Sequence, residues 1–308
     1  MSTVSNTEVV AIPEGGESLT SESVFKMMWR TFAENRLALV SLGVLLFVVL
    51  FCFVGPLLWH TNQTDAYIAT TQNPINSPWF KSWSFPLGTN DQGFDVLGRL
   101  MFGGKAALYV GFISGITSTV VGALWGAIAG YRGGLIDAFM MRFVDIGLSI
   151  PGLFLLIAIV VVFGRSTLVI ILTLGLTSWF GASRLIRGET LSLRAREYVL
   201  AVRAMGGTNK RIILRHILPN AIGTMVVLGT FAVADSILGL AGLGFIGLGI
   251  EPPETDWGTM LSKGVTWAQL GYWWLILPVG LLIVLVVISL NYIGDALRDA
   301  FEVRLQKR

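Results

Sequence analysis

Six stretches of this chain run for 18 residues or more without a charged side chain: Leu37 to Trp59, Ala106 to Tyr131, Ile146 to Phe163, Ser166 to Ser183, Ile217 to Ala234 and Gly264 to Gly294. A helix of about 20 apolar residues crosses the hydrocarbon layer of a bilayer. Backbone placed there must satisfy its own hydrogen bonds, which a helix does. The pattern therefore predicts an all-α polytopic membrane protein with six transmembrane helices. Composition agrees, with 54% hydrophobic and 13% charged residues, where a soluble domain carries about 25% charged. The fifth run is expected to continue past Asp235 toward Gly249, and the residues just after Lys263 read as an interfacial lead-in to the sixth.

Orientation follows from the basic residues. If the N-terminus is cytoplasmic, seventeen of the 22 Lys and Arg fall in inside segments, against Lys81, Arg99, Lys105, Arg165 and Lys263 outside. The positive-inside rule then places both termini in the cytoplasm. Residues 1–24 are polar and read as a disordered tail with no cleavable signal. Residues 25–104 hold the first span and a long extracytoplasmic loop, and 105–303 form the core. That core contains a cytoplasmic loop at 194–220, and 304–308 make a basic end. The long loop, with Pro74, Pro78, Pro86, Trp79, Phe80, Trp83 and Phe85, is too apolar to wave freely, so it is expected to pack over the outer face or against a soluble partner. Asn62-Gln63-Thr64 matches a glycosylation acceptor, a short pattern that chance often supplies.

Chemistry-bearing clusters are sparse. Cys52 is alone, and neither His60 nor His216 has companions at ligand spacing, so no metal site is expected. No Gly-x-x-x-x-Gly-Lys-Ser/Thr occurs: Gly104-Lys105 is followed by Ala106, and Arg99 stands at the first glycine position. The chain should not hydrolyse ATP by itself, and no catalytic residue or nucleic-acid partner is expected. Gly111, Gly115, Gly122, Gly126 and Gly130 recur at four-residue steps apart from one step of seven, which lets another helix approach closely. Asp235, followed by Ser236, is the one carboxylate deep in an apolar context, and it faces either a translocation path or a structural hydrogen bond.

The segment from Tyr198 to Asn220 is basic and broken by Gly206-Gly207. Arg196 to Met205 is helix-compatible, the glycines stop it, and Thr208 is an N-cap for a second helix running to Pro219. Leu200, Ala201, Ala204 and Met205 offer small and apolar contact points on the first helix, and Ile212 and Ile213 lie beside a basic face on the second. From the residues alone, this elbow suits either a groove in another protein or a surface of anionic lipid.

The same segment resembles the coupling loop of ATP-binding-cassette importer permeases, whose pattern is Glu-Ala-Ala, three residues, Gly, nine residues, Ile-x-Leu-Pro. Ala201, Gly206, Leu218 and Pro219 match it, while Leu200 replaces the Glu, Val202 the second Ala and His216 the Ile. FPLGTNDQGFDVLGRLMFGG at Phe85 to Gly104 is similar to an outer-loop signature of the C-type permease subunits of dipeptide and oligopeptide importers. Gly88, Thr89, Asp91, Gly93, Asp95 and Arg99 lie in that stretch, with Phe94 where an arginine is usual. AGYRGGLIDAFMMRFVDI at Ala129 to Ile146, LGFIGLGIEPPETDWGTML at Leu243 to Leu261 and NYIGDALRDAF at Asn291 to Phe301 resemble further motifs of that family, in the same order.

The resemblance implies a type I importer permease fold in a bacterial inner membrane. It also implies a heterodimer with a second homologous permease, two cytoplasmic ATPase subunits holding ATP and Mg, an extracytoplasmic substrate-binding protein, and no cofactor on this chain. Peptides are the implied cargo, with nickel complexes, an antimicrobial peptide or a sugar as alternatives. Rival readings are a secondary transporter or channel, which would need coupling-ion residues in the spans, and a membrane enzyme, which would need clustered catalytic groups.

Overall fold

The computed structural model describes residues 24–59 and 85–306. The N-terminal tail, His60, Asn62, Pro74, Pro78, Trp79, Phe80 and Trp83 lie outside these residues, as do Lys307 and Arg308. In chain order the helices are α1 (Val24–Glu34), α2 (Arg36–Phe53), α3 (Gly55–Leu58), α4 (Val96–Arg132), α5 (Gly134–Ser149), α6 (Gly152–Phe163), α7 (Thr167–Thr177), α8 (Trp179–Leu193), α9 (Glu197–Ala204), α10 (Asn209–Ile212), α11 (Ile222–Phe245), α12 (Trp257–Ala268) and α13 (Leu277–Gln306). A π-helical turn (Ile213–Ile217) extends α10, and a 3-10 turn (Trp273–Leu275) precedes α13.

Five of these segments are long and apolar enough to cross a membrane, with α7 and α8 counted as one, and α5 with α6 makes a sixth bent by 86°. Connectivity makes the bent pair a crossing. α5 starts beside the end of α4, among the arginines, whereas Arg165 after α6 donates to Gly247 O at the far end of α11. The uniform apolar run from Ile146 to Phe163 therefore is not one straight span. Ile150 takes an extended conformation (φ −91°, ψ 124°) ahead of Pro151, as the clash with a following proline ring favours. Two of the other expected boundaries hold: α11 runs on past Asp235, and the last span starts at Leu277 after the separate α12.

α4 is the hub. Its 37 residues rise about 55 Å, so it overreaches the hydrocarbon layer. The glycine stripe explains how two helices share it. A Cβ at Gly115 would sit 2.7 Å from Val233 N on α11, and one at Gly130 would sit 2.8 Å from Arg187 O on α8. Gly111 likewise abuts Ile237, and Gly122 and Gly126 abut Ser183. The seven-residue step marks where α4 exchanges one neighbour for the other. Around the outer half, Leu108, Leu174, Ile237, Leu240, Leu243, Val286 and Trp257 form the main core. A satellite core of Phe32, Ala38, Ile293 and Ala296 fastens α1 to α13.

Candidate functional site

At the arginine-rich end, α9, α10 and the π turn form an elbow. Gly206, at φ +81°, occupies the left-handed region that ends α9, and the Thr208 hydroxyl accepts from Arg211 N, a serine/threonine-type N-cap. The π turn closes where Leu218 N donates to Ile213 O at 2.9 Å. The side chains then divide by face. Val199, Ile212, Ile213 and Ile217 are buried with Ala123 and Ala127 of α4 and Ile186 of α8. Leu200, at 49% exposure, and Met205, at 78%, face outward, together with Ala201, Ala204 and Gly206. Gly207 is half-buried and Pro219 exposed, while Leu218 packs on the internal cluster. Six of the residues singled out in the loop thus lie on an open surface and Leu218 belongs to the anchor.

The neighbouring helix α5 is bound into the same body. Asp137 receives Nε and Nη2 of Arg187 at 2.5 and 2.6 Å, and Asp145 receives Arg184 at 2.6 Å. Arg187 makes the two-pronged contact of a charge-assisted fork-to-carboxylate pair, and Arg184 makes a single such bond. Arg194 Nη1 donates to Gly130 O at the end of α4, and the rings of Trp125, Phe143, Trp179 and Phe180 cluster in tilted contacts between α4, α5 and α8. Sequence reasoning counted these arginines for orientation and missed their partners. Asp137 and Asp145 stand eight residues apart in the sequence, but only the fold brings them to Arg184 and Arg187, three apart on α8.

The opposite end holds the outer-loop signature. Gly88 and Gly93 take positive φ, and Thr89 and Asp95 pair across a short antiparallel bridge. Asn90 Oδ1 accepts from Gln92 N and Phe94 N, which folds the loop onto itself. Asp95 then caps α4 by accepting from Leu97 N and Gly98 N. Gly88, Thr89 and Arg99 are buried and Asp91 is half-buried. Arg99 lies 4.7 Å from the ring centre of Phe94, the residue that stands in the arginine position of the signature. α12 clasps this loop from the side: Trp257 Nε1 donates to Leu100 O, and Asp256 accepts from Ile250 N, Thr259 N and the Thr259 hydroxyl. A cavity of about 30 Å³ remains between them, lined by Asp91, Arg99, Thr255, Lys263 and Trp267 among others.

Asp235 and Ser236 part company. Ser236 is fully buried in the bundle, and Asp235 is exposed on the flank of α11. No group of three or more His, Cys, Asp or Glu side chains that could hold a metal occurs among the described residues.

In solved structures the fold recurs in the inward-facing methionine ABC transporter MetNI, with TM-score 0.54, 24% identity, and 68% of this chain and 97% of that one covered. The family described as binding-protein-dependent transport system inner membrane component matches residues 122–307, and the N-terminal TM domain of oligopeptide transport permease C matches 23–78. The chain belongs to this family of membrane permeases. The oligopeptide transport system permease protein OppC of Bacillus subtilis is 33% identical over 94% of this chain and 93% of its own length. The dipeptide transport system permease protein DppC of the same organism is 34% identical over 91% and 85%. OppC of Escherichia coli K12 is 37% identical over 89% of each chain.

Proposed function

We propose that this chain is one of two permease subunits of an ATP-driven importer of dipeptides or oligopeptides in a bacterial inner membrane. A second, homologous permease completes the translocation pathway. Two cytoplasmic ATPases bind ATP and Mg, and an extracytoplasmic binding protein delivers cargo. The names of its relatives support the cargo class. The observation that carries the coupling role is the two-faced elbow: apolar and small side chains outward, four aliphatic side chains sealed inward.

The mechanism needs no covalent step on this chain. Leu200, Ala201, Ala204 and Met205 seat in a groove of an ATPase subunit. Closure of the ATPase pair around ATP displaces α9. Because Val199, Ile212, Ile213 and Ile217 are locked against α4 and α8, and α5 is locked to α8 by its ion pairs, these helices shift as one body. Nucleotide thereby biases the permease between inward- and outward-facing states, and the elbow is the contact through which the bias is felt. The sequence departs from the coupling pattern at Leu200, so docking rests on shape and apolar area there.

Cross-linking tests this reading. In the complete complex, Ala204→Cys should cross-link to the ATPase subunit through a short bifunctional thiol reagent, with a yield that changes on adding ATP. Absence of that product, together with undiminished peptide uptake by Ala204→Trp, would overturn the docking role.

A further inference from the structure

We infer that Asp235 is a cation-recognising point in the translocation pathway, which receives the ammonium groups of the cargo and makes the importer favour cationic over anionic peptides in transit. This rests on the reading of the chain as a peptide permease.

Three observations lead there. The first is depth. α11 spans Ile222–Phe245, and Asp235 lies about 20 Å along the helix from Ile222 and about 15 Å from Phe245, near the middle of the hydrocarbon layer. The second is the absence of a partner: among the described residues Asp235 makes no ion pair and no hydrogen bond. The structural hydrogen bond that would have explained an acid at this depth is therefore not made among the described residues.

The third is the way the rest of α11 is used. Gly229, Val233 and Ile237 meet α4; Gly223, Thr230 and Phe231 meet α13; Gly239 and Gly242 meet α7 and α6. Asp235 and Leu238, one helical turn apart, remain open at this level. An ionised carboxylate does not face lipid at the centre of a bilayer; acids at such positions face water-filled cavities or opposite charge. The open strip of α11 is thus the side that lines the pathway between the two permeases. On that strip the one charged group is negative, set beside an aliphatic neighbour.

Cargo chemistry completes the argument. Every linear peptide with a free N-terminus carries an ammonium group at neutral pH, and lysine- or arginine-containing peptides carry more. A carboxylate on the wall of a narrow pathway attracts these groups and repels a glutamate side chain, through interactions less screened beside apolar walls than in bulk water. Binding there must be weak enough to release cargo, so one unpaired acid suits transit better than a cage of several.

The test uses the complete importer in proteoliposomes, with the binding protein saturated in turn by the tripeptides Ala-Lys-Ala, Ala-Gln-Ala and Ala-Glu-Ala. The readout is the ATP-dependent uptake rate of each. Asp235→Asn should lower the Lys-to-Glu rate ratio by about tenfold, the scale of one charge-assisted hydrogen bond. Asp235→Glu should restore it, and Asp235→Lys should invert it. An equal loss for all three peptides would assign Asp235 to packing or to a basic side chain of the second permease, and unchanged rates would leave it without a role in transit. Either result overturns the inference. Failure of the wild-type importer to take up any peptide with ATP would instead refute the peptide-permease reading itself.

Discussion

The two ends of this bundle carry comparable density of motif residues and use them in opposite ways. At the outer end the motif is spent on the chain itself: Asp95 and Asp256 give their oxygens to backbone amides, and the indole of Trp257 bonds to Leu100 O. At the arginine-rich end the hydrogen bonds of the elbow fix its shape, and Leu200, Ala201, Ala204 and Met205 are left outward with no internal partner. A motif thus tells where the chain is specialised, and burial tells whether that specialisation serves folding or contact. Substitutions at the outer end should cost stability, and those on the open face of the elbow should cost transport alone.

The strongest expected loss tests the outer clasp. Asp256→Ala removes the acceptor of three hydrogen bonds from a fully buried position and should destabilise by roughly 3 kcal/mol or more. This would be read as lower recovery of folded subunit and earlier thermal unfolding of the purified complex. Next comes the inward face of the elbow. Ile217→Ala, at 0% exposure, should cost about 2–3 kcal/mol through a cavity, and loosening the anchor should also slow uptake.

Smaller again is the α5 to α8 link. Arg187 and Asp137 are partly exposed, so a double-mutant cycle with Arg187→Gln and Asp137→Asn should give a coupling of only about 1 kcal/mol. Ala204→Trp closes the series, with a stability change within about 0.5 kcal/mol and at least tenfold loss of ATP-driven uptake. A large unfolding effect at Ala204, or none at Asp256, would break the contrast between the two ends.

Much of this architecture is legible in the sequence because bilayer thickness converts apolar length directly into crossings. The elbow was legible too, since Gly206-Gly207 and Thr208 act through local backbone rules. The break at Ile150-Pro151 was not, because a proline within an apolar run is tolerated in a straight span as readily as it ends one, and only the neighbours of α5 decide. The glycine stripe announced close approach without naming α11 and α8, because spacing describes one helix and not its partners. Asp235 and Ser236 are adjacent in sequence and looked like one feature. Helical geometry turns them about 100° apart, which sends one into the core and the other to the open flank. The pairing of Arg184 and Arg187 with Asp145 and Asp137 needed the fold, since the partners lie 39 and 50 residues apart.

The bent third crossing has a consequence for how the chain is made. α6 has 12 residues, a rise of about 18 Å against a layer of about 30 Å. Leaving the translocon alone, it would strand its ends in hydrocarbon. Leu156 and Val160 are buried against the core that α7 and α11 complete, and α11 is synthesised some 60 residues after α6. The short α6 is covered only once α7 and α11 are both in place, so the third crossing should depend on later helices for its stability in the bilayer.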